Sequence, residues 1–208
     1  HHASGKFSRY QRDPDNDRGV SPRSLPGQKG GRYLASGNEH NEQGHISEDP
    51  ENRAAQMKRR MRKLESIREE LDADESSHQT YHGPEDADYG IVTFGSQQGT
   101  VEEAIDRLNE AGHSVRSLGV SDMMPLAEAE ISDFLASVDE ALVVEMTGSA
   151  QFRKLIQKEL GRFGPKMHSL LKYNGNPFEP GEIVDGFESV IGEDEPAPTT
   201  QFVPAAGD

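Results

Sequence analysis

The apolar positions along this chain change their spacing twice. Residues 1–48 carry only isolated apolar spots such as Tyr33-Leu34-Ala35, broken by turn formers at Asp13-Pro14, Ser21-Pro22, Pro26-Gly27 and Gly30-Gly31. This predicts an extended loop, a form that suits a segment wrapped on another domain or subunit. At Asp49-Pro50-Glu51 the pattern turns helical: an N-capping Asp, Pro in the first turn, then an acid near the positive end of the helix dipole. The helix is predicted to run to about Leu71. Met57, Met61, Leu64, Ile67 and Leu71 recur three or four apart on one face. A lone helix cannot bury such a stripe, so this face is expected to dock. Residues 73–86 then read as a polar linker.

From Tyr89 short apolar runs alternate with helical patterns. Strands are predicted at 90–94, 114–120, 141–145 and 169–173, and helices at 100–111, 131–138, 151–163 and 180–190. Residues 192–208 read as a disordered acidic tail. Strand and helix in alternation over residues 87–191 predict an α/β domain, a small parallel-sheet sandwich.

Candidate chemistry is sparse. Gly95-Ser96-Gln97-Gln98-Gly99-Thr100 joins the first strand to the first helix, at the carboxyl edge where open parallel sheets bind ligands. It lacks the GxGxxG spacing and the P-loop Lys, and Glu102 and Glu103 oppose a phosphate. Three readings stand: a tight turn capped by Thr100, a protein–protein contact at Gly95, Ser96, Gln97 and Gly99, or a small-anion site. Gly37–His45 holds two His and two Glu without a metal-binding spacing, so it reads as a hydrogen-bonded loop, with His40 an interface candidate. Ser21-Pro22-Arg23 is a rigid turn presenting one Arg, a group suited to carboxylate or phosphate recognition. The basic run Lys58–Lys63 is interrupted by Met61 and followed by Glu65, Glu69 and Glu70, which marks the solvated face of an amphipathic helix, or a surface for an acidic partner, ahead of a nucleic-acid patch. No nucleophile–base pair or paired-carboxylate site stands out.

Charge sharpens the division. The net charge is −15, yet residues 73–208 alone carry −17. Such acidity argues against nucleic acid as a partner and reads as adaptation to high salt ahead of an acidic interaction surface. Arg outnumbers Lys and there is no Trp. The absence of cysteine excludes disulfides and any iron–sulfur cluster on this chain's own thiolates. No apolar run nears the roughly 20 residues that cross a bilayer, and no signal peptide is visible, so neither a membrane nor export is expected and the location is expected to be cytoplasmic. The chain opens on His1-His2 rather than Met, the mark of a tag or of a longer parent.

Six stretches, taken together and in order, carry a family resemblance: GVSPRSLPG (19–27), ASGNEHNEQGHISEDP (35–50), KRRMRKLE (58–65), GSQQGT (95–100), VVEMTGSAQFRKLI (143–156) and KYNGNPFEPGEI (172–183). The chain resembles the C-terminal part of the alpha subunit of 2-oxoacid:ferredoxin oxidoreductases, especially the 2-oxoglutarate type. The resemblance implies thiamine-diphosphate-dependent oxidative decarboxylation of a 2-oxoacid to an acyl-CoA. It implies magnesium, CoA as substrate, an iron–sulfur cluster in a beta subunit, and ferredoxin as electron acceptor. Residues 1–72 would be the tail of a pyrimidine-binding domain with its exit helix, and 87–191 a domain like the C-terminal domain of transketolase. The family's Tyr-Pro-Ile-Thr-Pro motif is absent, and so is the domain that holds the cofactor-activating glutamate. No catalytic, cofactor-binding or metal residue carries over, and the isolated chain is expected to be inactive. Arg23, His40, Met57, Met61, Leu64, Gly95, Ser96, Gln97 and Gly99 remain as interface candidates. The alternative is a stand-alone α/β binding module holding a small anion at Gly95–Thr100.

Overall fold

Residues that favour strands recur in blocks after residue 79, and in the computed structural model each block joins one sheet. The structure describes residues 7–12, 18–73, 78–191 and 200–202. The chain divides into two compact units, His1–Glu75 and Ser76–Asp208.

In the second unit the elements run β1 (Thr80–His82), β2 (Tyr89–Phe94), α2 (Gln98–Glu110), β3 (Val115–Val120), α3 (Glu128–Ser137), β4 (Glu140–Glu145), α4 (Gln151–Leu160), β5 (Met167–Leu171), α5 (Pro180–Ile191) and β6 (Thr200–Phe202). The sheet order is β1-β3-β2-β4-β5-β6. All neighbours pair in parallel except β1, which lies antiparallel on β3. Helices cover both faces. Ile91 and Leu142 pack with Ile105 and Leu108 of α2 and Phe187 of α5. Val92 and Val143 pack on the other face with Phe134 and Leu135 of α3 and Phe152 and Ile156 of α4. These side chains are almost wholly buried, each stabilising the fold by about 1.5–3 kcal/mol. The expected parallel α/β sandwich is present.

The edges differ from the sequence reading. Within the stretch read as a linker, Thr80–His82 pairs with Ser117–Gly119. Within the stretch read as a disordered tail, Thr200–Phe202 pairs with Ser169–Leu171, while 192–199 and 203–208 lie outside the described residues. The outer edges of β3 and β5 carry backbone groups that need partners, and three residues suffice to meet them. A pattern of three residues is too short to show a period. Boundaries also move, among them the start of α3, which lies at Glu128. α2 begins at Gln98 because a 3-10 turn, Gly95–Gln97, runs straight into it, so Thr100 is not the cap. α4 stops at Leu160, where Gly161 takes φ +63° and its N–H bonds the carbonyl of Gln157. β5 starts at Met167, in register with Ala141.

The first unit is built on α1 (Pro50–Ala73). Asp49 caps it as expected, its carboxylate accepting from the N–H groups of Glu51 and Asn52 at 3.2 Å each. The preceding loops lie on the polar face of this helix. Gln56 is fully buried and donates to the carbonyl of Tyr10 at 3.0 Å. Arg59 donates to Ser21 Oγ at 2.6 Å. Gly19 sits where an added Cβ would stand 2.4 Å from the Arg59 carbonyl, and its φ of +69° also calls for glycine. Met57 and Met61 are exposed, at 39% and 47%, and Leu64, Ile67 and Leu71 are half-buried. At about 100° per residue the methionines lie roughly opposite Arg59 and Ser66. The loops are therefore held on the side of the helix away from Met61 by carbonyls, hydroxyls and a carboxylate, and the stripe is only partly left open. Among the described residues no helix is long and apolar enough to cross a membrane.

Residues 73–208 carry a charge of −17, so salt should stabilise the second unit by screening self-repulsion. Its melting temperature should rise steadily from low to molar KCl. A flat or falling curve would count against adaptation to salt.

Candidate functional site

The strand order itself marks one place on the second unit. From β2 the chain crosses to β3 on one side, and from β3 it returns past β2 to β4 on the other. The loops after β2 and β4 therefore diverge at the carboxyl edge, which is where open α/β sheets hold ligands. One wall is the predicted loop. Gly95 has φ +70° and Gly95, Ser96 and Gly99 are exposed, while Gln97 is buried as the residue before α2. No side chain caps α2. Gln98 donates to Glu102 at 3.0 Å, which keeps a carboxylate one turn from the helix end and opposes the small-anion reading.

The facing wall is filled from within. Glu145, the last residue of β4, is fully buried. Its carboxylate accepts from the N–H of Phe152 at 2.9 Å, the N–H of Arg153 at 3.1 Å and the hydroxyl of Thr147 at 2.8 Å. The first N–H groups of α4, the donors a phosphate would use, are thus spent on the chain's own carboxylate. Ala150 before the helix takes φ +52°, which turns the chain back over Glu145. Arg153 then ties α4 to the carbonyls of Met167 at 2.8 Å and Gly164 at 3.2 Å. Burial pushes its guanidinium below its ordinary value, and the charge of Glu145 acts in the other direction.

The loop after β5 is locked in the same manner. Lys172 is buried and donates to both oxygens of Glu182 at 2.6 and 2.7 Å and to the carbonyl of Pro177 at 2.8 Å. The same Glu182 accepts from the N–H of Glu179 at 2.7 Å. Two of the six stretches that carry the resemblance, 143–156 and 172–183, thereby have a physical account as charge-locked loops. Sequence reasoning missed both locks. The available signal was a lone acid closing an apolar run just before a helix, and a Lys and Glu bracketing a Pro-rich turn.

The first unit gathers its polar residues around α1. His40 is 2% exposed, stacks on Tyr10 with ring centres 4.5 Å apart, and lies 3.3 Å from Ser36 Oγ. Asn52 donates to the His40 carbonyl at 3.1 Å. Asn41 closes the loop through the N–H of His45 at 2.9 Å. Glu39 accepts from Arg60 at 2.7 and 3.2 Å and from Arg53 at 2.8 Å. The Arg60 bonds lead in holding its carboxyl down at about 2, burial pushes against them, and Arg53 adds to the lowering. Among the described residues no cluster of three or more His, Asp or Glu is arranged to hold a metal ion. The loop at 37–47 is a hydrogen-bonded structural device. Arg23 stands exposed on its turn, with no ion pair among the described residues.

Comparison with known proteins places this geometry. Residues 87–183 match the family model for the pyruvate:ferredoxin oxidoreductase core domain II. The chain is 32% identical over 190 residues, 90% of its length, to the alpha subunit of 2-oxoacid:ferredoxin oxidoreductase 1 from Aeropyrum pernix, of which it covers 28%. It is 32% identical over 192 residues to the corresponding subunit from Sulfurisphaera tokodaii, covering 92% of this chain and 29% of that one. Among solved structures, 2-oxoglutarate:ferredoxin oxidoreductase from Magnetococcus marinus, with 2-oxoglutarate, coenzyme A and succinyl-CoA bound, matches with a TM-score of 0.63 at 27% identity, over 89% of this chain and 31% of that chain. The chain thus spans somewhat over a quarter of the length of the curated relatives it matches.

Replacing Glu145 by Ala should leave two backbone N–H groups and a hydroxyl without their acceptor and cost about 3 kcal/mol, read as a lower melting temperature of the second unit. Glu39 gives a pH signature in the first unit. Its pKa is lowered from 4.5 to about 2, so its contribution is complete above its ordinary range and is lost as pH falls toward 2. Amide protection factors in the 37–47 loop, taken against the intrinsic exchange rate at each pH, should fall through that window in the wild type. In Glu39→Gln they should be lower at neutral pH and lack that acid step; an unchanged acid profile would refute the assignment.

Proposed function

The chain belongs, along nine-tenths of its length, with the alpha subunits of 2-oxoacid:ferredoxin oxidoreductases, and on that premise we propose that it supplies a structural and assembly portion of such a subunit rather than its reacting groups. The observation that carries this reading is the missing core of the first unit. Among its described residues only Phe7 is a buried hydrophobic, whereas Val20, Leu25, Tyr33, Leu34, Ile46, Met57 and Met61 are exposed. A surface of that kind is made to be covered.

The parent complex on this reading performs thiamine-diphosphate-dependent oxidative decarboxylation of a 2-oxoacid, forms an acyl-CoA, and passes electrons through an iron–sulfur cluster to ferredoxin. The bound 2-oxoglutarate and succinyl-CoA of the Magnetococcus enzyme support 2-oxoglutarate as the substrate. The residues present here do not fit the cofactors. A cluster needs thiolates and the chain has no cysteine. A diphosphate needs free helix donors with a cation, and at the carboxyl edge Glu145 occupies those of α4 while Glu102 stands at α2. The thiamine diphosphate with its magnesium, and the cluster, are therefore assigned to the rest of the alpha subunit and to a beta subunit.

Purified alone and supplied with thiamine diphosphate, magnesium, CoA and ferredoxin, the chain should not turn over any 2-oxoacid; turnover would overthrow the proposal. Limited proteolysis should cut within residues 7–73 of the isolated chain and spare 78–191, and assembly into the full complex should protect the first segment. Met57→Asp with Met61→Asp should reduce recovery of assembled complex by about tenfold or more, with the melting of the second unit unchanged.

A further inference from the structure

The positive charge of the first unit is distributed unequally, and the inequality identifies a second surface, distinct from the apolar face of α1. At least three of the five helix arginines are paired with carboxylates. Arg53 and Arg60 bind Glu39, and Arg62 binds Glu69 at 3.0 Å. The loop segment 18–38 contains Arg18, Arg23, Lys29 and Arg32 and not one Asp or Glu. Arg18 reaches Glu70. Arg23, Lys29 and Arg32 are exposed and have no ion pair among the described residues.

Arg32 also lines an open cavity of about 350 Å³, together with Arg9, His45, Phe7, Tyr33 and Leu34. Its lining contains no carboxylate. Phe7 and Tyr33 form a tilted aromatic pair at 5.9 Å, and the Arg9 guanidinium lies 5.9 Å from the centre of the Tyr33 ring. Arg9 is further held by a 3.4 Å bond to the carbonyl of Pro22. A guanidinium held beside an aromatic ring, a second arginine free at the same cavity and apolar side chains next to them are the composition of a protein-binding patch rather than of a solvated loop. The exposed apolar side chains of the unit extend to Leu25 at 62% and Ile46 at 51%, more surface than a small anion would cover.

Building on the assembly role argued above, we propose that segment 18–38 and the Arg9–Arg32 cavity form the docking surface for an acidic, apolar-bearing polypeptide segment of a partner subunit. A partner carboxylate pairs with Arg32 at the mouth of the cavity, and apolar side chains beside it cover Tyr33 and Leu34. Lys29 adds long-range attraction. The charge on the segment selects an acidic partner and speeds encounter, and the apolar contacts give the complex its lifetime.

The test uses the full-length alpha subunit and its beta subunit, with the dissociation constant measured across a KCl series. Lys29→Glu with Arg32→Glu should weaken association by about tenfold or more at low KCl, with the deficit shrinking as salt rises. Lys29→Arg with Arg32→Lys should stay within about twofold of wild type, as should Lys158→Glu on the exposed surface of the second unit. Two results overturn the proposal. One is a charge reversal that leaves association unchanged, or weakens it equally at every salt concentration. The other is saturable binding of inorganic phosphate or pyrophosphate that the reversal abolishes while assembly is intact, which would assign the cavity to a small anion. Loss of assembly in Met57→Asp with Met61→Asp but not in the charge reversal would sink this inference and leave the assembly role standing. Assembly that survives both sets would sink the two together.

Discussion

A helix can turn only one face toward the loops that precede it, and α1 turns its polar one. Gln56, Arg59 and Ser66 lie inward, bonded to carbonyls and hydroxyls, and the methionines lie outward. The order of the first unit then rests on directional bonds. Gln56 must reach the Tyr10 carbonyl, Glu39 must hold two arginines, and Gly19 must let the backbone come close to Arg59. Hydrogen bonds of this kind specify geometry well but contribute only about 0.5–1.5 kcal/mol each, more when charged. The shape of the segment is thus defined in advance of the apolar contacts that would stabilise it. This suits a piece whose apolar face is reserved for something else.

The second unit follows the opposite logic. Most of its apolar residues pack in two layers, one on each face of the sheet, and the carboxyl edge, the usual opening for ligands, is braced by buried charges. Glu145 accepts from backbone N–H groups in the first turn of α4, and Lys172 with Glu182 pins the turn before α5. Buried charges are tolerated here because their partners are in place.

Legibility followed element length. The strands Tyr89–Phe94 and Glu140–Glu145 and the helix at Gln151 stood out because each spans enough residues to show a period. Asp49 was readable as a cap because capping needs one residue in one place. β1 and β6 were not readable, since three residues have no measurable period and their pairing depends on strands far away in sequence. The methionine stripe was correctly seen as a stripe, but which side of the helix the loops would choose depends on hydrogen-bond partners such as Tyr10 and Gln56, 46 residues apart. The nine interface candidates rest on turns and helical spacing alone, and two of them, His40 and Gln97, are buried in the structure. The charge locks at Glu145 and Lys172 were not legible, because burial of a charged residue is decided by tertiary structure.

The two short outer strands bear on how the second unit meets other proteins. β1 and β6 occupy the outer edges of β3 and β5, and each contributes three residues. A three-residue margin offers too brief a row of backbone donors and acceptors for a foreign strand to zip onto. The sheet is in effect hemmed on both sides, like cloth finished against fraying. Short edge strands of this kind disfavour growth by strand addition, the route to filaments and to promiscuous pairing.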